Sequence, residues 1–87
     1  MLYLIQNLST NEIKIGYSSD PQKRLKQLQT GSGGRLKVIR AYYLDNEKVW
    51  EKRLHRMLWQ SKRRGEWFKF EPLEEYLRFI DELFNQD

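Results

Sequence analysis

The sequence predicts an α+β domain with a three-stranded antiparallel sheet flanked by helices, in the order ββαβα, followed by a short aromatic strand and a C-terminal amphipathic helix. Three observations carry this. Two short runs near the start, joined by a brief polar link, read as the strands of a hairpin. A third run, residues 35–44, concentrates β-branched and aromatic residues. Three further segments carry apolar residues at helical spacing. The chain has 87 residues, enough for one domain and too few for two, so residues 1–87 are read as a single unit. Within it, residues 1–70 form the core and 71–87 an acidic helix.

Each element has a local reason. Residues 2–6 (Leu-Tyr-Leu-Ile-Gln) read as the first strand, and the polar stretch Asn7 to Asn11 as its turn. Residues 12–17 alternate and read as the second strand. Asp20-Pro21 places an N-cap acid before a proline at the first helical position, so a helix is expected from there to Thr30, burying Leu25 and Leu28. Gly31-Ser32-Gly33-Gly34 ends it in a loop. After the third strand, Asp45-Asn46 caps a second helix over 46–61, with Trp50, Leu54, Met57 and Leu58 on one side. Lys62-Arg63-Arg64-Gly65 reads as a basic turn, and Glu66 to Phe70 as a short aromatic strand. Pro72 opens the last helix, whose stripe is Leu73, Tyr76, Leu77, Ile80, Leu83 and Phe84.

Composition narrows the function. The absence of cysteine excludes disulfides and thiolate zinc sites and fits a reducing cytoplasm. The opening apolar run, Met1 to Ile5, lacks a basic flank and is too short for a signal peptide, and no stretch is long enough to span a bilayer. Net charge is +4, unevenly spread: residues 21–44 carry six Lys or Arg and no acid, while 71–87 carry six acids against Arg78. A cationic body of this kind suits a polyanion, most often nucleic acid. The bland alternative is a solvated charged face.

The motifs then fall into a known order. Met1-Leu2-Tyr3 stands at the start of strand one and Lys14-Ile15-Gly16 in strand two; Arg24 follows on the first helix, then Leu28-Gln29-Thr30-Gly31, Glu51-x-x-Leu54-His55 and Gly65-Glu66-Trp67-Phe68. Over residues 1–70 this resembles the GIY-YIG endonuclease superfamily, and most closely its phage-associated, KIG-bearing branch, the type of domain found in phage DNA-binding and meiotically up-regulated gene proteins. The resemblance implies a GIY-YIG-like fold, a divalent-metal-dependent endonuclease acting on DNA, and a catalytic set of Tyr3, Lys14, Arg24, Glu51 and His55. Glu51 would hold one Mg²⁺ or Mn²⁺. Two departures stand out. Lys14 replaces the second tyrosine of the family pattern, and the family's later asparagine has no counterpart, although Glu66 lies near where a last site residue would enter.

The chemistry fits those residue types. Phosphodiester cleavage needs a placed water, a cation on the developing charge and help for the leaving oxygen. One carboxylate suffices to hold Mg²⁺ when water and phosphate complete its shell. Arg24 would fork onto the phosphate. Tyr3 would place or deprotonate the water, which its ordinary pKa of about 10 opposes unless a cation helps. Lys14 would bind phosphate or lower the Tyr3 pKa, and His55, one turn after Glu51, would relay a proton or bind phosphate. Tyr17 alternates to the other face and is a poor substitute. Lys14, Lys23, Arg24, Lys26, Arg35, Lys62, Arg63 and Arg64 are the expected nucleic-acid contacts. Each has a structural rival: Tyr3 as packing, Gly16 as a close backbone contact, Glu51–His55 as a surface pair, and Trp50, Trp67 and Phe68 as core. Two other functions compete with the nuclease. One is a DNA-binding module of the same fold without turnover. The other is a homodimer or protein-interaction domain using the acidic C-terminal helix. With 87 residues, no separate recognition domain is expected.

Overall fold

The structure, a computed structural model, describes residues 1–85. Strand β1 (Leu2–Asn7) and strand β2 (Ile13–Tyr17) form the expected hairpin, with Tyr3 opposite Gly16 and Ile5 opposite Lys14. Its turn is held by Asn7, whose Oδ1 accepts from the backbone N–H of Ser9 at 2.9 Å and of Thr10 at 3.3 Å. Asn11 takes the left-handed conformation, at φ 62°, that asparagine tolerates better than most residues. Helix α1 (Pro21–Thr30) starts where the sequence places it: Asp20 caps it, accepting from the Lys23 N–H at 3.1 Å. Strand β3 (Leu36–Tyr42) returns to pair with β1. Helix α2 (Glu47–Met57), a single 3-10 turn (Trp59–Ser61), strands β4 (Lys62–Arg64) and β5 (Trp67–Phe68), and helix α3 (Leu73–Phe84) complete the chain.

The sheet has five strands, not three, in the order β3-β1-β2-β5-β4, with every pairing antiparallel. The basic segment expected as a turn is itself a strand. Gly65, at φ 52°, supplies the left-handed turn position that folds Lys62–Arg64 back on Trp67–Phe68. Three consecutive charged residues carry no alternation, so the strand left no trace in hydrophobic pattern. The second helix is shorter than expected. It leaves helical geometry at Leu58 (φ −109°, ψ 18°), which turns Leu58 inward and leaves Met57 half exposed rather than on the buried stripe.

Two cores sit on the two faces of the sheet. Leu2, Leu4, Ile13 and Ile15 face Leu54 of α2 and Ile80 of α3; Tyr3 and Ile5 face the opposite way, with Leu36, Leu25 and Leu28. That division follows from strand alternation. Strand β3 serves both cores. Leu4 pairs with Arg40 but Ile5 pairs with Val38, so Ile39 is an inserted bulge residue. The insertion lets Leu36 and Val38 face α1 while Arg40 and Tyr42 face α3. Helix α3 packs its whole expected stripe on the larger core. Asp81 then locks it to β3, accepting from Tyr42 Oη at 2.6 Å and from Arg40 Nε at 3.1 Å. The apolar stripe that a partner-binding reading would need is therefore occupied by the chain's own core.

Candidate active site

The site is built on the β1–β2 hairpin. Tyr3 and Gly16 are directly opposite, and the Tyr3 ring lies across Gly16: a Cβ there would sit 2.5 Å from the hydroxyl and 2.6 Å from Cζ. The glycine is thus the seat of the phenol. Tyr3 is only 2% exposed. Burial raises its pKa most strongly; Arg24, approaching from α1, opposes this as a donor and a positive charge, while Glu66 and Glu51 add to the rise. The balance keeps Tyr3 a neutral phenol. Arg24 is exposed and also donates to Gln27 Oε1 at 3.2 Å, which holds the guanidinium along the helix surface.

Lys14 is buried, and its ammonium donates to Glu66 Oε2 at 2.6 Å. The Trp67 ring lies 5.7 Å from the same ammonium. Strand pairing explains the meeting: Lys14 is opposite Trp67, and the Glu66 carbonyl accepts from the Ile15 N–H at 3.3 Å. Lys14 is therefore an interior cation with a carboxylate partner in Glu66, a pairing the expected phosphate contact did not include. The sequence put Glu66 near the entry of a last site residue but did not pair it with Lys14; its place beside Trp67 in the Gly-Glu-Trp-Phe run was the available signal.

Glu51 and His55 come from α2, which packs on the other core. His55 Nε2 lies 3.1 Å from the Ile15 carbonyl, so it is the protonated nitrogen, and the ring stands edge-on to Phe68 at 4.9 Å. That bond ties α2 to β2 and leaves Nδ1 as the ring nitrogen for the expected proton relay or phosphate contact. Glu51 is half-buried, and its pKa is raised, first by burial and then by Glu66; His55, Lys14 and Lys52 oppose this. Two carboxylates near enough to repel make a favourable place for a cation. No cluster of three or more metal-ligating side chains occurs among the described residues. Glu51 is a donor of the type through which Mg²⁺ or Mn²⁺ bind, since one or two carboxylates suffice when water and phosphate fill the rest of the shell.

Four elements and the β4–β5 turn thus place Tyr3, Lys14, Arg24, Glu51 and Glu66 near enough for their charges to act on one another. The remaining expected contacts, Lys23, Lys26, Arg35, Lys62, Arg63 and Arg64, are all exposed and lie outside this cluster. Arg64 reaches Glu12 only at 3.8 Å. Among the described residues no helix is long and apolar enough to cross a membrane. The sequence profile of the T5orf172 domain matches residues 1–85. No curated protein and no solved structure shows a match.

Proposed function

The chain belongs to the T5orf172 domain family, which is associated with GIY-YIG-like, phage nuclease-type domains, and from that premise we propose that it is a divalent-metal-dependent endonuclease hydrolysing phosphodiester bonds in DNA. Lys14-Ile15-Gly16 supports reading it with the KIG-bearing branch of the wider superfamily. One observation carries the reading: the Tyr3 phenol, buried and seated on Gly16, takes a hydrogen bond from Arg24 and feels the charges of Arg24, Glu66 and Glu51.

Arg24 grips the scissile phosphate and offsets the charge that grows on it. Tyr3, neutral and fixed by packing, orients the attacking water through its hydroxyl. Lys14 keeps Glu66 in place and lessens the repulsion between the two carboxylates. Mg²⁺ or Mn²⁺ held at Glu51 would supply positive charge at the phosphate and make the water more acidic.

The test is cleavage of labelled DNA with Mg²⁺ or Mn²⁺ by the protein and by Glu51→Ala and Arg24→Ala. Loss of cleavage in both, with folding intact, is the expected result. Cleavage that survives Glu51→Ala refutes the assignment. Binding without cleavage in the unmodified protein would favour a DNA-binding module without turnover, a reading motivated by the Lys14–Glu66 pair standing where the family pattern has its second tyrosine.

A further inference from the structure

A groove of about 560 Å³ lies between the end of α1, segment 31–34, the β1–β2 turn and the β4–β5 hairpin. We propose that it takes one unpaired nucleotide of the strand being cleaved, so that the domain prefers single-stranded or locally unpaired nucleic acid. The proposal rests on the nuclease reading for its strand and adds a subsite to it.

Both walls of the groove continue from the candidate active site. On the helix side, Gln27 follows Arg24 by about one turn, and the two are hydrogen-bonded. On the sheet side, Trp67 follows Glu66 and is paired with Lys14. A strand whose phosphate is held at Arg24 therefore meets the groove within the next nucleotide or so. The size lies within the ~300–1,000 Å³ usual for small-ligand sites.

The lining suits a nucleotide. No carboxylate contributes to it, Arg64 supplies an exposed guanidinium, and Trp67 supplies a half-buried ring against which a flat base can lie. The Gln27 oxygen accepts from Arg24, while its amide N–H₂ has no partner among the described residues, leaving two donors for a base edge.

The glycines give the independent argument. Gly16 is required by the Tyr3 ring, Gly34 by Asn7 and Ser9, and Gly65 by its left-handed backbone. Gly31 and Gly33 are required by nothing inside the chain. A Cβ at either would have no atom within 4 Å, and neither has a left-handed φ. Both line the groove. Glycines that the fold does not demand, placed along a groove wall, leave room for the close approach of a second molecule.

The experiment uses Glu51→Ala as background, so that binding is read without cleavage. Affinity is measured by fluorescence anisotropy for a labelled DNA strand of a dozen nucleotides, for the same strand in a duplex, and for the strand with abasic sugars. Adding Gly31→Leu with Gly33→Leu should weaken single-strand binding about tenfold, the weight of one stacked base. Duplex affinity and melting temperature should stay unchanged. The abasic strand should not distinguish the leucine variant from the background. Equal single-strand affinity with and without the leucines overturns the groove alone. So does an equal loss for strand and duplex. If the background protein binds neither at low salt, both the groove and the nuclease reading fall. If it binds but the unmodified protein cleaves nothing, the nuclease reading fails and the groove is judged by the leucine variant.

Discussion

At the scale of single residues, the site depends on what is absent at position 16 and on who partners Lys14. Gly16→Ala would drive a methyl group into the phenol of a fully packed Tyr3. We expect it to lower stability by about 1–3 kcal/mol and to reduce cleavage further than stability explains; thermal melting and cleavage, measured together, check this. The Lys14–Glu66 pair is lopsided, with the lysine side chain 10% exposed and the glutamate 46%. Removing the exposed partner strands the buried charge, whereas removing the buried one leaves a carboxylate that water can solvate. Glu66→Gln should therefore cost about 1–3 kcal/mol and Lys14→Met under about 1 kcal/mol, an order that urea denaturation can read. The sequence made Tyr3, Arg24 and Glu51 legible because each stands in a recognisable motif. It did not show that Lys14 is a buried, neutralised cation, because its partner lies 52 residues away and ion pairing leaves no local pattern.

At the scale of elements, alternation and helical periodicity exposed what packing decides. The hairpin, α1 with its aspartate cap, and the stripe of α3 were all readable because burial on one side imposes a period. Strand β4 was not, since its three side chains are exposed and charged. The bulge at Ile39 was not either, since an inserted residue shows only in the pairing. The clasp between α3 and β3 joins residues about forty apart and belongs to the same class. Within it, burial opposes ionisation of Asp81, but the Tyr42 hydroxyl and then Arg40 outweigh it, and its pKa lies below the ordinary aspartate value. A carboxyl depressed by folding contributes stability that is complete above the unfolded pKa and is lost as pH falls through the folded one. The clasp should thus weaken progressively below about pH 4. Asp81→Asn should cost about 1–2 kcal/mol at neutral pH and remove part of that acid dependence, as denaturation curves at several pH values would show.

At the scale of the whole molecule, charge is segregated. Exposed cations lie on α1 and β4, and the acids of residues 71–87 are carried mainly by α3. Binding to nucleic acid should weaken steeply with salt, since each phosphate neutralised releases counterions. Arg63→Ala should reduce the slope of log affinity against log salt by about one, whereas Lys14→Met should leave it unchanged because that charge already has its partner. Measuring both slopes separates surface contacts from the interior pair. The charges on β4 also act where no substrate is present. The order of the sheet leaves β4 at an edge, with one side of its backbone unpaired by any other strand among the described residues. An open edge of that kind invites a second chain to extend the sheet. Lys62, Arg63 and Arg64 make such an approach bring like charges together, so the segment that best suits a polyanion also guards the domain against polymerising with itself.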